Sequence, residues 1–103
     1  MRLVFVTLPA SDAEAMLLLL LRERLVAGGS IVPTVHSRYW WNGEIVAEQE
    51  AALFMETSAE RVEEAVTRLK ELHPYACPRV VVLRAHEGPA DYFRWIRDET
   101  REV

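Results

Sequence analysis

The sequence has one cysteine, four glycines and five prolines among its 103 residues, and its apolar runs are short. A lone cysteine, Cys77, cannot form a disulfide within the chain. The apolar stretch Met16–Leu21 is followed at once by Arg22-Glu23-Arg24, far short of the roughly 20 residues that a membrane span needs. We therefore expect no disulfide and no membrane insertion, and we expect a cytoplasmic location.

Positive charge and catalytic motifs are also scarce. The 12 basic residues are outnumbered by 16 acidic ones, giving a formal net charge of −4 at pH 7. This balance creates no broad field for phosphate backbones, so we expect no nucleic-acid partner. There is no GxGxxG, no phosphate-binding loop with lysine, no GxSxG and no HExxH motif. The sequence therefore predicts that the protein is not an enzyme.

Hydrophobic residues make up 50% of the chain, enough to build a core. The length is typical of one domain, and we expect a single domain over residues 1–103. The first segment, Leu3–Leu8, is a continuous apolar run with β-branched and aromatic residues. Such a run predicts a strand that is buried on both faces, and Pro9 ends it.

A leucine-rich helix is predicted after this strand. Ser11 and Glu14 have the spacing of a capping box, in which each side chain satisfies a free backbone donor at the helix start. We expect the helix over Asp12–Ala27, terminated by Gly28-Gly29. Its five consecutive leucines are too many for one narrow apolar stripe, so part of the helix should face something besides its own sheet.

The dipeptide Asn42-Gly43 separates two extended segments, Ile31–Trp41 and Glu44–Thr57. Both residues accept positive φ angles, which predicts a type I′ hairpin. Arms of this length exceed a usual strand of about five or six residues, so the hairpin should project beyond the sheet. The large apolar side chains on the projecting part are Tyr39, Trp40, Trp41, Ile45 and Val46. An uncovered apolar ribbon would aggregate, so we expect pairing with another subunit. Pro33 lacks a backbone donor and fits an edge position, a bulge or a bend near the start of the first arm.

The remaining segments complete the predicted topology. Thr57 and Glu60 have capping-box spacing, and apolar residues recur at helical spacing up to Leu72, where His73-Pro74 ends the helix. A buried strand is predicted over Val80–Leu83. A short terminal helix is indicated by Tyr92, Trp95 and Ile96. The resulting fold class is α+β: a ferredoxin-like βαββαβ arrangement with an extended β-hairpin and a C-terminal helix.

Imidazole and thiol groups are the candidate ligands for copper. These side chains are His36, His73, His86 and Cys77. His73 and Cys77 are the strongest pair, but the prolines at 74 and 78 prevent one helical face, so the two would need a specific turn to converge. Alternatively, His73 caps the preceding helix and orders the turn by hydrogen bonding, Cys77 is a small buried residue, and the other two histidines are surface strand residues.

A second candidate site involves the hairpin. The aromatic residues Tyr39, Trp40 and Trp41 either form interface core or line a ligand cleft between subunits. Glu50 lies in an apolar stretch, where a carboxylate needs an arginine, a tyrosine hydroxyl or backbone donors as partners. We hypothesise that it shares an inter-subunit cleft with His73 and Tyr75.

Several short motifs occur in a specific order along the chain. They are Glu23-Arg24-Leu25, then Ser37, Tyr39, Trp41, Gly43 and Glu44, then Gln49-Glu50, then His73-Pro74-Tyr75 with Pro78, and finally Tyr92 and Trp95. Over nearly its whole length the sequence thereby resembles the CutA divalent cation tolerance family. The resemblance implies a compact homotrimer held by the extended hairpins, similar to PII signalling proteins, and a role in tolerance of copper and other divalent cations.

The sequence departs from the family pattern at positions that bear on metal binding. These positions are Val6, Gly28, Glu56, Ala76 and Arg79. The family usually has a lysine at position 56 and commonly has carboxylates at 76 and 79, while cysteines occur at 28 and, in some members, at 6. The replacements remove several side chains that could bind a metal ion.

Three functions follow from these observations. The first is a homotrimer that acts in divalent cation tolerance, with Cu(II) or another divalent cation as a possible direct ligand. The alternative is a PII-like signalling or scaffolding trimer that binds a small molecule or a protein partner in its inter-subunit clefts. A small enzyme is the third, and it would require strongly perturbed titratable groups in the cleft.

Overall fold

The computed structural model describes residues 1–101, which form a four-stranded sheet and three helices. In chain order the elements are β1 (Arg2–Leu8), α1 (Ala10–Arg22), β2 (Gly28–Trp41), β3 (Glu44–Thr57), α2 (Val62–Leu72), β4 (Val80–Arg84) and α3 (Ala90–Glu99). The strands lie in the order β2-β3-β1-β4, and all neighbours are antiparallel. The predicted ferredoxin-like βαββαβ arrangement with a C-terminal helix is therefore confirmed.

Alternate residues of the central strands form the core against helices α1 and α2. Val4, Val6 and Leu8 of β1 are almost fully buried, as are Leu53 and Met55 of β3. Their helical partners in the core cluster are Ala13, Met16, Leu20, Ala65 and Leu69. Burying a large apolar side chain contributes about 1.5–3 kcal/mol, so this helix-covered face supplies most of the hydrophobic stabilisation.

The other face of the sheet is open in the single chain. Phe5 and Phe54 lie on it with ring centroids 5.2 Å apart. Val81 and Leu83 of β4 lie on the same face and are 45% and 51% exposed. The prediction that β4 is a buried strand is therefore wrong for the single chain, whereas on this face of β1 Thr7 is buried and Leu3 and Phe5 are half-buried. Strand residues alternate between two faces, and the core forms on only one of them. We refer to Phe5, Phe54, Val81 and Leu83 as the open face.

Helix α1 ends at Arg22, earlier than the predicted Ala27. Arg24 adopts a left-handed backbone with φ of 61°, and the N–H groups of Arg24 and Leu25 donate to carbonyls of the last helical turn at 3.0 Å. This is the Schellman arrangement, and it directs Leu25 into the core. The dipeptide Gly28-Gly29 begins β2 instead of ending the helix.

Neither predicted capping box forms. Helices α1 and α2 have no side-chain cap, and Ser11 and Glu14 are exposed. The Thr57 hydroxyl, expected to pair with Glu60, donates instead to the Leu25 carbonyl at 2.6 Å. This buried bond joins the end of β3 to the turn after α1, so a tertiary contact replaces the local one.

The long hairpin is confirmed. Its two strands have 14 residues each, and Asn42 and Gly43 have φ angles of 50° and 79°, as a type I′ turn requires. The β2–β3 pairing shifts register around Pro33, which therefore lies at a bulge. The exposed large apolar side chains at the distal end are Trp40, Trp41 and Ile45. The predicted apolar ribbon is thus uncovered in the single chain.

The end of α2 at His73-Pro74 and the terminal helix α3 are also confirmed. Ile96 is the buried residue of α3. Tyr92 and Trp95 stay about half exposed and stack on each other, with ring centroids 5.8 Å apart. Within residues 1–101, no helix is long and apolar enough to cross a membrane.

We predict that Gly29→Ala destabilises the protein and that Gly28→Ala does not. A Cβ at position 29 would lie 3.1 Å from the Phe54 carbonyl oxygen and 2.7 Å from Leu17 Cδ1. At position 28 the nearest atom would be the side-chain oxygen Glu56 Oε2 at 3.3 Å, and no backbone atom is this close. Overpacking of this kind typically costs about 1–3 kcal/mol. Urea unfolding of both variants measures the difference, and equal unfolding midpoints would contradict the prediction.

Candidate functional site

A groove of 480 Å³ opens between the distal half of the hairpin and the loop after α2; we call it the hairpin groove. Its lining residues are Thr7, Tyr39, Trp40, Trp41, Val46, Glu48, Glu50, Tyr75, Ala76, Cys77, Pro78 and Arg79. Ligand pockets commonly have volumes of about 300–1,000 Å³, so a small molecule fits. The structure brings together four of the five predicted ligand-binding residues here, and the fifth, His73, does not line the groove.

Strand geometry places the polar groups of the groove. Glu48 and Glu50 are two apart on β3 and therefore share a face. Tyr39 pairs with Val46 across the hairpin, which makes Glu48 its diagonal neighbour on that face. Tyr75 approaches from the loop after α2. The two carboxylates thus lie between two tyrosine hydroxyls.

Glu50 is the buried acid of the groove, with 2% exposure. The Tyr75 hydroxyl lies 3.0 Å from Glu50 Oε1 and 3.3 Å from Glu48 Oε2, so two carboxylates share one phenolic proton. The Tyr39 hydroxyl donates to Glu48 Oε1 at 2.9 Å. The partner that the burial of Glu50 requires is therefore a tyrosine hydroxyl, one of the groups expected from the sequence.

The two tyrosines are held in their neutral, donating form. Burial, followed by the hydrogen bond to Glu50, raises the pKa of Tyr75 well above its usual value. The hydrogen bond to Glu48 raises the pKa of Tyr39. Within residues 1–101, neither Glu48 nor Glu50 forms an ion pair with a basic side chain. The groove therefore has an acidic end without a cation of its own.

His73 joins β1 to the loop after α2. Its Nε2 lies 2.8 Å from the Thr7 carbonyl oxygen, and the Tyr75 N–H donates to its Nδ1 at 3.1 Å. A carbonyl accepts and a backbone N–H donates, so this pattern selects the neutral tautomer with hydrogen on Nε2. His73 also caps α2, with its N–H donating to the Leu69 carbonyl. The contacts match the capping and turn-ordering alternative.

The residues proposed for copper do not fit a metal centre on this turn. Both nitrogens of His73 are engaged, and Cys77 is an exposed free thiol, so the prediction that it is buried is wrong. Among the residues that the structure describes, no group of three or more His, Cys, Asp or Glu side chains is placed to hold a metal ion. His36 is exposed on β2 as expected, whereas His86 lies in the connection after β4 and not on a strand.

The positions that depart from the family pattern have separate structural roles. Val6 is a fully buried core residue. Glu56 accepts a hydrogen bond from the Tyr92 hydroxyl at 2.6 Å, which raises the pKa of Tyr92 to about 12. Ala76 and Arg79 line the hairpin groove. The replacements at 76 and 79 therefore change the charge of the groove itself.

Two charged groove residues were not predicted from the sequence: Glu48 and Arg79. The sequence could have indicated Glu48, because strand alternation puts it on the same face as Glu50. The indication for Arg79 was weaker, because this residue was noted only as a departure from the family pattern in the loop. Trp40, which was considered together with Tyr39 and Trp41, also lines the groove, although strand alternation puts it on the opposite face of β2 from Trp41.

We predict that Tyr75→Phe destabilises the protein more than Tyr39→Phe. The first change removes the hydroxyl that partners the buried Glu50, and an unsatisfied buried polar group typically costs about 1–3 kcal/mol. The partner of Tyr39, Glu48, is only half-buried and can be solvated instead. Chemical denaturation at pH 7 compares the two variants. An equal loss in both would show that Glu50 does not depend on Tyr75.

We also predict that the folded protein resists tyrosine ionisation. The pKa values of Tyr39, Tyr75 and Tyr92 are all raised from an ordinary value of about 10. Ultraviolet titration near pH 10 should show little phenolate in the folded protein and about half ionisation in guanidinium. The unfolded chain loses these phenolic protons at a lower pH than the folded protein does. The contribution of the three tyrosines to the free energy of unfolding is therefore fully present below about pH 10 and is lost as the pH rises further. Half ionisation of the folded protein at pH 10 would contradict the hydrogen-bond network.

Sequence and structure comparisons identify close relatives of this chain. The divalent-cation tolerance protein CutA of Thermus thermophilus is 38% identical over 98 residues, covering 94% of this chain and 95% of the relative. The protein of the same name from Pyrococcus horikoshii is 33% identical over 103 residues, covering 99% and 100%. A rice relative, 32% identical over 96% of this chain and 56% of its own length, is named as chloroplastic. None of these names refers to an enzymatic activity.

Solved structures give the same result. The PII-like protein CutA from Nostoc in apo form superposes with a TM-score of 0.93 at 33% identity, covering 98% of each chain. CutA from Xylella fastidiosa superposes with a TM-score of 0.93 at 37% identity, covering 97% of each chain. The sequence profile of the CutA1 divalent ion tolerance protein matches residues 2–99. This chain therefore belongs to the CutA1 divalent ion tolerance protein family.

Proposed function

We propose that this protein acts in divalent cation tolerance as a homotrimer and that the hairpin groove is its ligand-binding site. The names of its relatives support the cation role. The observation that carries the proposed site is the buried Glu50, held by Tyr75 at the base of a groove with aromatic walls. Small-molecule sites commonly combine an apolar wall with a few convergent polar groups in this way.

The trimer is supported by the uncovered apolar surface of the single chain. The open face and the tip of the hairpin expose large side chains, among them Leu83 at 51% and Trp40 at 72%. Strands β2 and β4 are the edges of the sheet, and an uncovered edge is a template for pairing. Contiguous apolar surface of this kind marks an interaction site. We propose that other copies of the chain cover it.

Trp41→Ala should weaken the assembly. Loss of a large aromatic from an interface typically costs about 2 kcal/mol or more. Leu18→Ala is the matched control, because Leu18 is similarly exposed but lies on α1, on the helical side of the sheet. Sedimentation velocity from micromolar to nanomolar concentration should show a trimer that dissociates earlier only in Trp41→Ala. A monomeric parent would overturn the trimer, and an unchanged Trp41→Ala trimer would remove the hairpin from the interface.

We propose that the cation role does not depend on a copper centre built on His73. Both ring nitrogens of His73 are used within the fold, and a ligand nitrogen needs its lone pair free. In a calorimetric titration of metal-free protein with Cu(II), we expect His73→Gln to bind as the parent does. A saturable site of one ion per chain that disappears in a folded His73→Gln protein would contradict this proposal.

A PII-like mechanism, in which binding of a small molecule is transmitted to a partner, is the second candidate, and the hairpin groove favours it. The groove tyrosines have raised pKa values and donate hydrogen bonds, which suits binding more than proton transfer at neutral pH. We therefore propose a non-catalytic role. We also propose a cytoplasmic location, because a reducing compartment keeps an exposed thiol such as Cys77 reduced.

A further inference from the structure

The hairpin groove carries charges of both signs. Glu48 and Glu50 form its acidic end, and Arg79 lines the same groove from the segment before β4. Within residues 1–101, Arg79 makes no ion pair; its guanidinium carbon lies 5.7 Å from the centroid of the Phe5 ring. This contact orients the guanidinium over the open face while leaving its hydrogen-bond donors available.

The opposite charges are separated and do not neutralise each other. Glu50 is on β3, and Arg79 directly precedes β4; strand β1 lies between these two strands. Two strand spacings amount to about 10 Å across the sheet. Along the strands the two residues are also offset, because Arg79 lies beside Thr7, whose partner Ala52 is two residues from Glu50. A ligand that satisfies both ends must therefore carry a cation and an anion at opposite ends of a short stem.

The walls of the groove fit such a stem. Trp41 and Val46 provide apolar surface between the polar groups, and the Trp41 ring is a good surface for the methylenes or the cation of a ligand. At the acidic end, two carboxylates offer several acceptor positions and receive only tyrosine donors from the chain. Paired carboxylate oxygens suit a guanidinium, which donates two parallel hydrogen bonds.

We infer that the hairpin groove binds a small zwitterion of the basic amino acid class, with its cationic head at Glu48 and Glu50 and its carboxylate at Arg79. The inference rests on the proposed role of the groove as the ligand site. It assigns the carboxylate pair to cation binding and Arg79 to selection of an anionic tail. A second copy of the chain that fills the groove with its own side chains is the competing occupant.

Three commercially available probes separate the two ends of the ligand in calorimetric titrations. L-Arginine carries both charges, L-citrulline replaces the guanidinium with a neutral group of similar shape, and L-argininamide replaces the carboxylate with a neutral amide. We expect L-arginine to bind at least about 10-fold more tightly than either analogue, because each lacks one charge-assisted contact. No saturable binding of L-arginine, or equal binding of all three, would overturn the inference.

Two variants test which residue binds each end of the ligand. Glu50→Gln should lower the affinities for L-arginine and L-argininamide alike, by about 10-fold or more. Arg79→Gln should lower the affinity for L-arginine to that for L-argininamide and should leave the affinity for L-argininamide unchanged. Arg84→Gln, an exposed arginine at the end of β4 outside the groove, is the matched control and should bind as the parent does. Arg79 is exposed, so its variant tests the inference even if Glu50→Gln does not fold.

Sedimentation of the same samples distinguishes the two levels of the proposal. A trimer that does not bind L-arginine overturns the ligand class and leaves the trimer in place. Equal effects of Arg79→Gln on L-arginine and L-argininamide overturn the role of Arg79 in reading the carboxylate. Trimer loss in Arg79→Gln with no probe-specific effect would identify the second copy of the chain as the occupant.

Discussion

A four-stranded sheet has two faces, and the core of this chain forms on only one of them. Helices α1 and α2 pack on the side that carries Val6 and Leu53, and this contact provides the apolar burial on which the fold depends. The opposite face keeps Phe54 and Leu83 partly exposed. The exposed hairpin tip adds further apolar surface. The helix-covered core and the exposed apolar side chains of the sheet therefore lie on opposite faces of the sheet.

The hairpin groove lies between the distal half of the hairpin and the loop after α2. His73 ties the loop after α2 to β1 through the Thr7 carbonyl, and the same histidine accepts the Tyr75 N–H. Tyr75 is thereby held where its hydroxyl reaches Glu50 on the hairpin. Three elements that are far apart in sequence are joined by one histidine and one tyrosine. A ring that performs this structural task with both nitrogens has no free lone pair for a metal ion.

Local sequence patterns predicted which helices and strands form, but they placed some of the ends of these elements wrongly. The alternation of apolar residues and the Asn42-Gly43 turn were sufficient for the hairpin, because both act over a few residues. The two capping boxes were wrong, and in the second the Thr57 hydroxyl donates to the buried Leu25 carbonyl in the turn after α1, a contact that is distant in sequence. The end of α1 followed from Arg24 in a left-handed conformation, which arginine rarely adopts and which no residue pattern indicated.

The sequence by itself determined the order of the strands and helices, the long hairpin and the family, because these depend on periodicity, turn residues and short motifs. It also indicated that Glu50 needs a polar partner, since a carboxylate in an apolar segment must be satisfied. The tertiary structure alone decided that the partner is Tyr75, that Cys77 is exposed and that Arg79 shares a groove with two carboxylates. These facts depend on which loop reaches which strand, a long-range packing outcome that no local spacing encodes.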